Sequence, residues 1–144
     1  MVVNDSYLNY PFAARVLVRW SDLDELGMVN NAKYLTYFEE ARAFFFLEKL
    51  AWDWTQLGSL VASIQINYKS PVRYGHKITV FMGVEQIKNA SFSLKCAVCS
   101  RKEDDSWLLH AEGSVVMVAY DLQTQKPTAL PVYAREALAG FLLV

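Results

Sequence analysis

The sequence predicts an α+β fold, a curved antiparallel sheet of about five strands wrapped around one long central helix. Three observations predict it. Tyr34, Phe38, Ala41 and Phe45 recur at helical spacing in one long apolar segment. Four alternating, β-rich runs follow, joined by short turns, and short turns favour antiparallel neighbours. The chain has 144 residues, 53% hydrophobic and 20% charged, which suits one domain over residues 1–144 with a substantial core.

The elements follow in order. Residues 12–20 form a strand in which Val16 and Val18 alternate with Arg15, Leu17 and Arg19, bounded by Pro11 and Ser21. Residues 21–29 carry Asp, Ser and Gly and read as a turn. Asn30 is then a helix N-cap, its side chain accepting from a free amide of the first turn. The helix runs from about Asn31 to Leu50. Leu35, Phe44, Phe46 and Leu47 widen its stripe, which implies burial over most of its circumference. After a loop at Trp52 to Leu57, strands are expected over 60–69, 77–87, 91–101 and 106–120. Breaks fall at Ser70-Pro71, Tyr74-Gly75, Lys88-Asn89 and Glu103-Asp104-Asp105. A short helix starts at Pro131 and runs to Leu142.

Composition narrows the partners. Lys plus Arg is 14 and Asp plus Glu is 15, so no charge surplus draws the chain to nucleic acid or anionic lipid. The N-terminal MVVNDSYLNY lacks the basic and apolar regions of a signal peptide, and Phe44 to Leu47 is far too short to span a bilayer. No nucleic acid, no membrane and a cytoplasmic location are the expectations. Apolar residues occupy both parities of the strands and aromatics reach 14%, so the second sheet face is expected to meet another subunit.

The densest chemistry lies in residues 19–42, RWSDLDELGMVNNAKYLTYFEEAR. Asp22 and Asp24 precede a glycine and a helix start. Free amides at a helix N-terminus bind oxyanions, and a carboxylate beside them is a base or nucleophile suited to attack on an acyl carbonyl. A plain D-x-x-G turn with helix capping is the competing reading. The segment resembles the signature of the 4-hydroxybenzoyl-CoA thioesterase-like branch of the hotdog-fold superfamily. The resemblance rests on Arg19, Trp20, Asp24, Gly27, Val29, Asn30, Asn31, Ala32, Tyr34, Phe38, Glu39, Ala41 and Arg42. Weaker likenesses are SPVRYG (70–75) and QKPTALP (125–131).

The resemblance implies a hotdog fold, hydrolysis of acyl-CoA thioesters, and neither metal nor redox cofactor. It implies that Asp24 is the catalytic carboxylate and that the backbone amide of Asn31 contacts the oxyanion. It further implies homodimers, often paired into homotetramers, with the acyl pocket shared between subunits. Tyr34 is a candidate substrate contact. The turn of Lys88, Asn89 and Ser91 is a candidate for the coenzyme A end, since it offers amide, hydroxyl and cation together. Lys69, Arg73 and Arg101 are further phosphate candidates. Met28 stands where the family often has His, and Gly75-His76 where it commonly has Gly-Asp.

Other groups carry competing readings. Asp22 is a solvated turn residue, a partner of Arg19, or half of a shared-proton pair with Asp24. Glu39 and Arg42, three apart on the helix, are expected to pair. Cys96 and Cys99 fall on opposite faces of a strand, which suits packing rather than redox chemistry. His76 and His110 are far apart in sequence, so a zinc site is not expected. Alternatives to an acyl-CoA thioesterase are a non-catalytic acyl-thioester binding protein and a thioesterase acting on acyl carrier protein. A dehydratase needs a catalytic His, which this helix segment lacks.

Overall fold

The computed structural model describes residues 6–144. One antiparallel sheet carries the strands β1 (Phe12–Val16), β2 (Leu57–Tyr68), β3 (Ile78–Ile87), β4 (Ser91–Arg101) and β5 (Trp107–Asp121) in the spatial order β1-β3-β4-β5-β2. A two-residue strand, β6 (Lys126–Pro127), pairs with the end of β5. The central strands alternate as half-buried strands must. Val80, Met82, Val84, Leu94, Cys96, Val98, Val115 and Met117 all point into one core. The chain's C-terminal helix α2 (Val132–Ala139) closes the sheet, and the residues after it return to β3, where the Val84 N–H donates to Phe141 (2.9 Å).

Inside the sheet lies α1 (Lys33–Phe45), continued by a wider π-type turn over Phe46–Leu50. Phe38, Ala41 and Phe45 are fully buried, and Phe45 packs edge-on against Phe141 and tilted against Phe12. This is the hotdog fold: one helix held in a curled antiparallel sheet.

The structure corrects the expected boundaries at several points. β1 ends at Val16, and the chain runs extended to a short turn at Trp20–Asp22, leaving Trp20 77% exposed. β2 begins at Leu57, inside the segment expected to be loop. The regular helix starts at Lys33, because Asn30 and Asn31 belong to a tighter turn that leads into it. Nor is the helix buried on most of its circumference within one chain. Leu35, Phe44 and Leu47 lie on its outer side, with Leu47 75% exposed. The sheet covers only the face it curls around.

β2 is an edge strand, paired through its whole length to β5 and to nothing on its other side among the described residues. Leu60, Val61 and Tyr68 stand half-exposed along it. Opposite Ile66, β5 carries Gly113, where a Cβ would lie 2.0 Å from the Gln65 carbonyl oxygen, so only glycine fits this approach of the two strands. No helix among the described residues is long and apolar enough to cross a membrane.

Candidate active site

The segment between β1 and α1 folds back on itself. Leu23 bridges Val29, the Asp24 N–H donates to the Met28 carbonyl (2.7 Å), and the Gly27 N–H donates to the Asp24 carbonyl (3.1 Å). Gly27 takes φ +74°, a left-handed conformation that costs glycine little. The loop is tied outward as well: the Val29 N–H donates to the Val72 carbonyl (2.8 Å), and Met28 bridges Arg73.

Asp22 is the buried foundation of this loop. Its carboxylate accepts the Tyr37 hydroxyl (2.8 Å) and the Arg19 N–H (3.0 Å), with the Arg19 guanidinium at 3.4 Å. Burial pushes its pKa up, but those hydrogen bonds and the Arg19 charge outweigh it and hold the carboxyl below its usual range. The same Asp22 oxygens raise Tyr37 far above an ordinary phenol, burial being the larger cause. Of the three readings of Asp22, the pairing with Arg19 is the one found. Asp22 is neither solvated nor in a proton-sharing pair, since it lies in the core while Asp24 stands on the surface.

Asp24 presents its carboxylate from the tip of the loop. Oδ1 accepts from the Leu26 N–H (2.8 Å) and the Met28 N–H (3.1 Å), and among the described residues no donor reaches Oδ2. One oxygen is fixed and the other is available.

Asn31 sits in the entry turn of α1, and the peptide groups around it are held from several sides. The Asn30 N–H donates to the Asp22 carbonyl (2.9 Å). Asn30 Oδ1 accepts from the Ala32 N–H (3.0 Å) within the turn that precedes the helix, and the Asn30 carbonyl accepts from the Lys33 N–H (2.9 Å); the helix N-cap position itself falls at Ala32, two residues beyond the expected Asn30. The Tyr68 hydroxyl donates to the Asn31 carbonyl (2.9 Å). The Asn31 N–H donates to no acceptor among the described residues. Asp24, Asn31, Tyr34, Tyr68, Lys69 and Ser70 together line an open groove of 430 Å³. A surface carboxylate residue and a residue of the helix-entry turn whose N–H has no acceptor among the described residues thus line the same groove.

The remaining expected site residues divide. Tyr34 borders the groove but is buried, and its hydroxyl accepts the Val72 N–H (3.2 Å), so it braces the wall. Lys88, Asn89 and Ser91 are not brought to this groove within one chain. Along β5, Ala111 pairs with Tyr68 while Val118 pairs with Ser91. Seven residues of strand separate the two ends, about 23 Å. At that far turn the Arg135 guanidinium donates to both the Lys88 and Asn89 carbonyls (3.0 Å each). Of the other cations, Lys69 lines the groove and reaches Glu112 (3.8 Å), whereas Arg101 is engaged by Asp105 and stacks over Trp107.

Glu39 and Arg42 do not pair. Glu39 faces outward, while Arg42 is buried with Nη1 lacking a partner among the described residues. Cys96 and Cys99 are both buried, in separate clusters on the two sheet faces, as their spacing implied. His76 and His110, distant in sequence, meet with ring centroids 5.0 Å apart. His110 is fully buried: Nε2 meets the Ser100 hydroxyl (2.7 Å) and Nδ1 the Ser70 carbonyl (3.2 Å). Among the described residues, no group of three or more His, Cys, Asp or Glu side chains is placed to hold a metal ion. Tyr68 is the site residue that sequence reasoning missed. The signal was its place as the last aromatic before the Ser70-Pro71 break, where a strand end meets the helix start.

Known proteins share this architecture. The sequence profile of the thioesterase-like superfamily matches residues 18–140. The long-chain acyl-CoA thioesterase FadM of Escherichia coli K12 is 30% identical over 127 residues, spanning 86% of this chain and 94% of FadM. The crystal structure of the PA5185 protein from Pseudomonas aeruginosa superposes with a TM-score of 0.85 at 26% identity, covering 94% of each chain. A thioesterase from Thermus thermophilus, crystallised with coenzyme A and zinc, superposes with a TM-score of 0.77 at 30% identity, covering 92% of this chain and 94% of its own.

Proposed function

This chain belongs to the thioesterase-like superfamily, and from that premise we propose that it is an acyl-CoA thioesterase, releasing free acid and coenzyme A with Asp24 and the Asn31 amide as its catalytic groups. The observation that carries the reading is one groove lined by both Asp24, whose Oδ2 accepts no hydrogen bond among the described residues, and Asn31, whose N–H donates to no acceptor among them. The acyl-CoA substrate rests on FadM and on the coenzyme A complex of the Thermus thermophilus thioesterase.

The chemistry follows from the two groups. The thioester carbonyl accepts the Asn31 N–H, which stabilises the oxyanion as the carbon becomes tetrahedral. On one route Oδ2 attacks that carbon, the C–S bond breaks, coenzyme A leaves as thiolate, and water hydrolyses the acyl-aspartyl anhydride. On the other, Oδ2 takes a proton from water as its oxygen attacks, and the same C–S bond breaks. A single turnover in heavy-oxygen water tests for the first route: water attacking the aspartyl carbonyl of the anhydride leaves the label on Asp24 and an Asp24 oxygen in the acid, an outcome the second route cannot give.

The proposal includes a homodimer, formed through the free edge of β2. Two β2 strands paired antiparallel about a two-fold axis set one strand's Leu57 end beside the other's Tyr68 end. The Lys88–Ser91 turn lies at the Leu57 end of the sheet. The partner's turn therefore approaches the groove of Asp24, and the site residues separated in one chain are reunited between two.

The test is release of free thiol from short, medium, long and aromatic acyl-CoAs by the purified protein. Turnover of at least one is expected. Tight binding of acyl-CoA without turnover would make this a binding protein and overturn the reading.

A further inference from the structure

We infer that Tyr68 is a positioning residue for this reaction, aiming the Asn31 amide by holding the peptide next to it; the inference rests on the function proposed above. In a regular helix the Asn31 carbonyl would accept from the amide four residues on. That amide belongs to Leu35, and it donates instead to the Ala32 carbonyl (3.3 Å). The Asn31 carbonyl is thereby left without a helical partner, and the Tyr68 hydroxyl takes the vacant place at 2.9 Å.

The bond joins two elements that are otherwise fixed independently. Tyr68 ends β2, where the next two amides, of Lys69 and Ser70, both donate to the His110 carbonyl (2.8 and 3.2 Å), and the Ser70 hydroxyl donates to the Leu109 carbonyl (2.7 Å). The strand end is therefore rigid. The Tyr68 ring meets Tyr34 edge-on, with centroids 5.1 Å apart at 83°. On the helix side, the preceding peptide is held by the Asn30 N–H on the Asp22 carbonyl. Asn31 is thus gripped before and after its own N–H. The Tyr68 grip is the one supplied by the sheet, and removing it lets the entry turn rock.

A mispositioned oxyanion donor weakens transition-state stabilisation more than ground-state binding. Tyr68→Phe keeps the ring and deletes the donor. The expected result is a kcat lower by about tenfold with KM nearly unchanged, short of the roughly 100–1,000-fold loss of an oxyanion donor outright. Tyr68→Met serves the same measurements if the phenylalanine variant melts early. A merely structural role would not move the vibration of the bound carbonyl, so that is the second readout. The acyl-CoA that turns over fastest is labelled with carbon-13 at its thioester carbonyl and bound to Asp24→Asn protein, which stalls hydrolysis. Its carbonyl stretch is expected to fall on binding and to return toward the free value when Tyr68→Phe is added. An equal fall with and without the hydroxyl would overturn the role of Tyr68 and leave that of Asn31 standing. No fall even in Asp24→Asn alone would overturn the Asn31 assignment itself, and the Tyr68 role with it.

Discussion

At the scale of the residue, the site separates groups that sequence places together. Asp22 and Asp24 are two positions apart, yet one is a buried anchor and the other a surface carboxylate. The same distinction governs Asn30 and Asn31. Asn30→Ala removes the side-chain acceptor of the Ala32 N–H and is expected to cost about 1 kcal/mol of stability and to lower turnover. Asn31→Ala keeps its N–H and should cost far less activity than loss of the Asp24 carboxylate. Thermal melts and turnover on both variants check this. The buried His110 sets an acid limit. Burial lowers its pKa, so below about pH 6.5 the unfolded chain binds a proton that the folded chain resists. More protons on the unfolded state means that stability falls as pH falls through that window. Asp22 adds a second loss at lower pH, as its depressed carboxyl is finally protonated. His110→Gln retains a donor for the Ser70 carbonyl and an acceptor for Ser100, and should flatten the melting-temperature profile between about pH 7 and pH 5.

At the scale of the element, periodicity made the helix and the strands legible, because α1 and the central strands bury faces of fixed period. It did not tell which apolar residues their own chain covers. Leu35 and Leu47 widen the stripe as plainly as Phe38, but the sheet reaches only Phe38. The turn that carries Asp24 was legible because it is local, its candidate role coming from the family resemblance, while the Tyr68–Asn31 bond spans 37 positions and depends on strand register, which no local pattern fixes. Register also makes Gly113 indispensable. Gly113→Ala drives a methyl into the Gln65 carbonyl, and a loss of roughly 3 kcal/mol is expected in chemical denaturation. The unpaired edge of β2 makes a separate prediction. Val61→Lys places a charge on the strand proposed to join the subunits and should raise the dimer dissociation constant at least about tenfold, read by sedimentation across a dilution series.

At the scale of the whole molecule, the proposal requires that one chain of 16.4 kDa pair with a second to complete its site. Light scattering at micromolar concentration should give twice that mass or four times it. If the Lys88–Ser91 turn serves the partner's groove, two defective chains complement one another. Chains carrying Asp24→Asn, mixed with chains carrying Lys88→Glu and Ser91→Ala, should recover about a quarter of wild-type activity, since half the dimers are hybrids with one intact site. A site built within one chain would recover none.

The most direct test of the central claim is turnover of the best acyl-CoA by Asp24→Asn. Asparagine keeps the size of the side chain and an oxygen for the Leu26 and Met28 amides, so the loop should hold its shape. It is a poor nucleophile and a poor base. The account predicts hydrolysis slower by at least about 100-fold, with a melting temperature close to that of the wild type. Hydrolysis at a comparable rate by a folded Asp24→Asn protein would contradict it.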